Sequence, residues 1–140
     1  MYHNSLETTL SYIDTARESD YAWAAGFIDG EGSIGMYYLT YKNRGKKYRR
    51  IAIQVTQTRL LPLEKLQELF GGTITEIFPK GGKQRTWYWG VRGVDIVTMV
   101  YKLLQPHLLV KNTDFKEAIN AYNEGATSIP IPTKPGGILN

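Results

Sequence analysis

Apolar residues recur along this chain first at helical spacing and then at every second position, and the two periods alternate twice. Residues 1–19 are polar and carry no strong period; a short helix around residues 6–12 is the one element expected there. Asp20 stands at an N-cap position before residues 21–30, which read as a short helix closed by Gly30 and Gly32. Residues 33–41 alternate as a strand, with Ile34, Met36, Tyr38 and Thr40 on one face. Ser33, Gly35, Tyr37, Leu39 and Tyr41 point the other way. After a basic loop through Asn43-Arg44-Gly45, residues 48–57 alternate again, Ile51, Ile53 and Val55 opposing Arg50, Ala52 and Gln54. The two strands form a long antiparallel hairpin.

Pro62 followed by Leu63, Leu66, Leu69 and Phe70 predicts an amphipathic helix that stops at Gly71-Gly72. Residues 73–78 and 85–92 predict a second hairpin, with Trp87, Trp89 and Val91 opposite Thr86, Tyr88, Gly90 and Arg92. Val94, Val97, Val100, Tyr101 and Leu104 form the stripe of another helix, broken by Pro106. Residues 114–123 predict a last helix, and residues 125–140, rich in Pro and Gly, a flexible tail. The expected fold is α+β on one four-stranded antiparallel sheet, with an N-terminal extension (1–19), one domain (20–124) and the tail.

Composition narrows the chemistry. The absence of cysteine excludes a disulfide scaffold, a thiolate zinc site and a cysteine nucleophile. Two histidines, His3 and His107, are too few for a histidine metal nuclease. No apolar run reaches the roughly 18 residues of a membrane span, so no membrane partner is expected. No basic segment followed by an apolar run opens the chain, and an intracellular location is the expectation. Charge is segregated more than its formal net value of +4 suggests. Residues 32–63 hold no acid and seven basic residues, Lys42, Arg44, Lys46, Lys47, Arg49, Arg50 and Arg59. Residues 77–94 hold no acid and Lys80, Lys83, Arg85 and Arg92. An anionic partner, nucleic acid first, fits this better than a merely solvated face. A two-stranded ribbon also fits the major groove of a duplex.

The sharpest local feature is Ala24-Ala25-Gly26-Phe27-Ile28-Asp29-Gly30-Glu31-Gly32. On a helix, Ala22, Ala25, Gly26 and Asp29 share one face. Such a face buries little area but admits another backbone closely; glycines there cost about 1 kcal/mol each relative to alanine. Glu31 follows at the negative end of the helix dipole, a poor place for a carboxylate without a cation. Two copies packed across a two-fold axis would bring two such carboxylates together and make a divalent metal more necessary.

Residues 25–32 resemble positions two to nine of the LAGLIDADG motif, and Ser33-Ile34 is a typical continuation. The element order resembles that family's αββαββα repeat, here with an extra C-terminal helix. Gln54-Val55-Thr56-Gln57 and Leu104-Gln105-Pro106-His107-Leu108-Leu109-Val110-Lys111 resemble further segments of its single-motif homing endonucleases. The resemblance covers about residues 19–124. It implies a homodimer joined through Ala22, Ala25, Gly26 and Asp29, with Asp29 structural rather than catalytic. It implies Glu31 and Gly30 as metal ligands, where the family more often carries Asp than Glu. Gln57 would order the attacking water and Lys111 would stand beside the scissile phosphate; Arg59 aligns only loosely with them. The implied cofactor is Mg²⁺, with Mn²⁺ or Ca²⁺ able to substitute for binding. The implied partner is a long, roughly palindromic DNA duplex, cut on both strands to leave short 3′ overhangs.

Sequence reading is expected from Ser33, Tyr37, Tyr41, Arg50, Gln54, Arg85, Tyr88 and Arg92. Phosphate contacts are expected from Lys42, Arg44, Lys46, Lys47, Arg49, Arg59 and Lys83. Plainer readings stand beside these. Gln57 can be a solvated strand-end amide, and Lys111 a surface lysine before a helix. The whole chain can be a catalytically idle DNA- or RNA-binding module, such as an intron maturase or a regulator. It can also be an α+β domain whose basic hairpins are only solvated. Retention of Glu31, Gln57 and Lys111 together argues against idleness.

Overall fold

In the computed structural model, which describes residues 2–40, 47–78, 81 and 84–125 and side chains from Arg17 onward, the chain begins with one continuous helix, α1 (Tyr2–Glu31). At 30 residues it is about 45 Å long. The sequence pattern placed a helix start at Asp20 and a domain edge at residue 19; the helix runs through both. No proline or glycine occurs before Gly26, so nothing interrupts it. Asp20 lies in mid-helix and pairs with Lys65 at 3.2 Å. Lys65 also lies 4.6 Å over the Trp23 ring. Despite its length, α1 is too polar to cross a membrane, and no other helix among the described residues is long and apolar enough.

The remaining elements follow the predicted periods closely. They are β1 (Gly32–Thr40), β2 (Lys47–Gln57), α2 (Leu60–Phe70), β3 (Thr73–Ile77), β4 (Thr86–Arg92) and α3 (Val94–Leu104). A single 3₁₀ turn at Gln105–His107 contains Pro106, and α4 (Asn112–Glu124) ends the fold. The sheet order is β1-β2-β4-β3, all neighbours antiparallel. Each predicted hairpin is present, and the hairpins join through β2 and β4.

One face of this sheet carries Ile34, Ile51, Ile53, Val55, Trp89 and Val91. It packs against Ala24, Ala25 and Ile28 of α1, Leu63, Leu66 and Phe70 of α2, Val97, Val100 and Leu104 of α3, and Phe115 and Ala118 of α4. All four helices therefore cover the same side, and burial of these apolar groups drives the assembly. The Trp89 indole N–H donates to the Gly71 carbonyl at 2.8 Å and ties α2 to the sheet.

The turn from α2 into β3 depends on Gly72. Its φ is +90°, and a Cβ there would stand 2.5 Å from the Gly90 carbonyl oxygen. Gly72→Ala should therefore lower folding stability by about 1–3 kcal/mol or more, from the positive φ alone and then from the clash. Chemical denaturation checks this; an unchanged midpoint would contradict it.

Candidate active site and nucleic-acid interface

The helix-to-strand junction that ends α1 has no linker. Glu31 is the last helical residue and Gly32 the first of β1. A Cβ on Gly32 would stand 2.8 Å from both the Ile28 Cγ2 and the Ile28 carbonyl oxygen, so the chain can turn here only at glycine. Glu31 is thereby held between two rigid elements, with its side chain exposed and without a hydrogen bond or ion pair among the described residues.

Two other segments converge on this end of α1. Gly32 pairs with Val55, and β2 continues past that point to Gln57. Gln57 therefore lies about 7 Å further along β2, alongside the close of α1. Its Oε1 accepts the Thr58 backbone N–H at 2.9 Å and lies 3.3 Å from the Thr58 hydroxyl. Its amide NH₂ makes no hydrogen bond among the described residues.

The second segment is 108–111. Leu109 N–H donates to Asp29 Oδ2 at 2.7 Å. Val110 and Lys111 N–H both donate to Oδ1, at 3.0 and 2.8 Å. His107 Nε2 lies 2.6 Å from Glu18 Oε1, a second tie between this stretch and α1. Lys111 then caps α4, its carbonyl accepting from Phe115 N–H at 3.0 Å. Partial burial pushes the Asp29 carboxyl up, but the amides of Leu109, Lys111 and Val110 and the Lys111 charge outweigh it, and its pKa is lowered. Asp29 is thus a structural carboxylate. A structural Asp29 is what the resemblance implied; its partners have no local signal, because they are about 80 residues away.

Glu31, Gln57 and Lys111, chosen from three separate stretches of sequence, therefore belong to one end of the molecule. The oxygen donors here are the Glu31 carboxylate and the Gly30 carbonyl, which lies in the last turn of α1 where helical carbonyls lack partners. Hard oxygen donors suit Mg²⁺ or Ca²⁺, so the residues fit such an ion. They supply only part of a shell: among the described residues no group of three His, Asp or Glu side chains comes together. Phosphate, water or a second chain must complete it.

The small-residue face of α1 is open, but its membership differs from the expected one. Ala25 is fully buried in the core of its own chain, and Asp29 is engaged with residues 109–111. Both are thus removed from the expected open face. The exposed stripe is Ala22, Gly26 and Gly30. A Cβ added at Gly26 or Gly30 would meet nothing within 4 Å. Packing within this chain thus gives no reason for either glycine.

The sheet face away from the helices is more closed than the alternation suggests. Ser33, Gln54 and Tyr88, expected to read bases, are 8%, 4% and 7% exposed. Ser33, Gln54 and Gly90 lie side by side in register. Gly90 leaves a gap, and the Tyr88 ring reaches to 3.8 Å from where its Cβ would stand. Gln54 Oε1 and Thr56 Oγ1 are buried on this strand without a hydrogen-bond partner among the described residues.

The basic residues also divide between the two faces. Arg49 has the parity of Ile51 and Ile53, so it turns to the helix side; it donates to the Tyr122 carbonyl and lies 5.1 Å over the Tyr122 ring. Lys47 shares that parity and lines a cleft with Arg49 and Tyr122. Arg85 precedes β4 on the side of Trp87 and pairs with Glu76 at 2.8 Å. Lys47 and Arg49 are thus on the helix side, and so is Arg85, which was expected on the open face. Arg50 and Arg92 lie on it and are exposed, Tyr37 is half-buried there, and Arg59 is exposed at the start of α2. Tyr41, Lys42, Arg44, Lys46 and Lys83 lie outside the described residues, as does the tail from residue 126.

A family model described as LAGLIDADG endonuclease matches residues 24–122. The chain belongs to this LAGLIDADG endonuclease family. Its fold is similar to that of the homing endonuclease I-CvuI, crystallised in complex with its target in the presence of Ca (TM-score 0.65, 23% identity, 79% of this chain and 69% of that one). It is also similar to the archaeal intron-encoded homing endonuclease I-Vdi141I complexed with DNA (TM-score 0.61, 22% identity, 76% and 69%). A third similar structure is the LAGLIDADG homing endonuclease I-GzeII in complex with a DNA target (TM-score 0.56, 22% identity). There 75% of this chain covers 36% of that one. No curated protein matches the chain.

The division of the cations predicts separable effects. Arg49→Ala should cost about 0.5–1 kcal/mol of folding stability through the lost ring contact and helix tie. Arg92→Ala, which has no partner among the described residues, should stay within about 0.5 kcal/mol of the parent. Urea melts of both variants check this; equal losses would contradict the assignment of faces.

Proposed function

We propose that the protein is a site-specific homing endonuclease that works as a homodimer on a long, pseudo-palindromic DNA duplex, with Mg²⁺, and leaves short 3′ overhangs. The observation that carries this reading is the convergence of Glu31, Gln57 and Lys111 at the end of a helix whose Ala22-Gly26-Gly30 stripe is open. The stripe suits close packing against its own copy. A second chain brings a second Glu31 to the same end, which suits one cut on each strand. The partial coverage of the longer I-GzeII chain is consistent with a fold unit that such relatives hold within one polypeptide.

Glu31 and the Gly30 carbonyl would hold the ion, which when bound supplies charge stabilisation at the phosphate and a more acidic water. Gln57 acts through its free NH₂, which donates to the oxygen of the attacking water and so fixes where that water sits; its Oε1 is already committed to Thr58. Lys111 places an ammonium beside the scissile phosphate and offsets charge that grows as the leaving oxygen departs. The open sheet face, through Arg50, Arg92 and Tyr37, lies against the duplex together with Tyr41, Lys42, Arg44, Lys46 and Lys83. Gln54 Oε1 and Thr56 Oγ1, without a hydrogen-bond partner among the described residues, support a polar occupant on this face.

A selection for cleavage on a randomised duplex library with Mg²⁺ should recover a pseudo-palindromic site cut on both strands. On that site Glu31→Gln should abolish cleavage while duplex binding persists; cleavage at the parent rate would contradict the metal site. Gly26→Leu should leave the chain folded, since nothing lies within 4 Å of that position, and shift it from dimer to monomer in sedimentation. A dimer that survives this substitution would contradict the assigned interface.

A further inference from the structure

Residues 109–111 have no anchor of their own. Leu109 is 92% exposed and Val110 63% exposed, so neither side chain packs. The nearest buried side chains are Leu108 before the stretch and Phe115 after it. What holds the backbone between them is the Asp29 carboxylate, which takes three consecutive N–H groups at 2.7, 3.0 and 2.8 Å. A carboxylate in the last turn of α1 is disfavoured by that helix's dipole, and it stands two residues before another acid. The same carboxylate lies just ahead of the α4 N-terminus, where negative charge is favourable. Its position is explained by the segment it grips, not by the helix it belongs to.

We infer that Asp29 is a positioning residue: it fixes the Lys111 backbone to the same helical turn that carries Glu31 and so sets the distance between the Lys111 ammonium and the Glu31 carboxylate. This rests on the nuclease reading above and deepens it. Asp29 touches no substrate and acts through Lys111. A side chain of the same size without the charge, Asn, keeps only one neutral acceptor oxygen for three donors and turns an NH₂ toward the remaining N–H. The grip on the 109–111 backbone is then weakened while the metal-ligand side of the site stays in place.

The test is a double-mutant cycle on the duplex recovered by selection, with Mg²⁺. Asp29→Asn should lower kcat by about 100-fold, the scale of an ~1 Å misplacement, with little change in duplex affinity. In a Lys111→Ala background the same substitution should have almost no further effect, because its target is gone. Hydrogen exchange should show the 109–111 amides protected in the parent and less protected in Asp29→Asn. Should that variant not fold, Leu109→Pro removes one donor from the other side. Leu108 is already extended (φ −78°, ψ 130°), as a residue before proline must be, and no packing is lost at residue 109. It should show the same split between kcat and affinity. Additive losses in the cycle, or a loss of binding that matches the loss of cleavage, would overturn the inference. A parent that cleaves while Asp29→Asn cleaves equally overturns this inference alone. A parent that cleaves no duplex overturns the nuclease reading and this inference with it.

Discussion

The functional end of the molecule depends on one tight passage, where α1 becomes β1 with no residue to spare. A Cβ on Gly32 would stand 2.8 Å from Ile28, so only glycine lets the strand start here, and Ile28 is itself fully buried in the core. The junction is therefore as rigid as the core. Glu31 gets its position from this passage, and β1 gets the register that brings Gln57 alongside. Asp29, two residues earlier on the same helix, reaches across to the segment that carries Lys111. Three chemically useful groups from three elements thus share one mechanical reference.

The same helix is divided around its circumference. Ala24, Ala25 and Ile28 complete the core of their own chain, while Ala22, Gly26 and Gly30 offer an open surface with almost no side chain. A face of this kind buries too little area to stabilise a monomer and suits only close approach by another backbone. It lies directly beside a site with one carboxylate and a carbonyl. The proposed second copy rests on an incomplete oxygen shell and an uncovered face at the same end. The similar folds of I-CvuI and I-Vdi141I are in complex with a target and with DNA, and the exposed Arg50 and Arg92 on the outer sheet face are consistent with the proposal.

Much of the fold was legible because it rests on periodicity. Both hairpins, their register parity and the stripes of α2 and α3 follow from which positions are apolar. The length of α1 was not legible: residues 1–19 have no apolar period, and Asp20 has the chemistry of an N-cap while its actual partner is Lys65 on another helix. Parity extends to the strand ends, where the charge of a side chain hides it. Arg49 and Arg85 occupy positions that follow the apolar series, and there each finds a partner on the helix side, Tyr122 and Glu76. The burial of Gln54 and Tyr88 arises from a missing neighbour, since Gly90 lets a tyrosine lean inward. For the candidate site, Glu31, Gln57 and Lys111 were visible through motif resemblance. Asp29 was visible there as structural, but not what it holds, because a carboxylate bound by backbone amides about 80 residues away leaves no local signature.

The most direct test of the account is the stoichiometry of the complex with DNA. Native mass spectrometry of the full chain on the selected duplex, with Ca²⁺ to hold the complex together, should give two chains per duplex. One chain bound alone to a duplex carrying the full site would contradict the central claim that each chain is half of a symmetric active assembly.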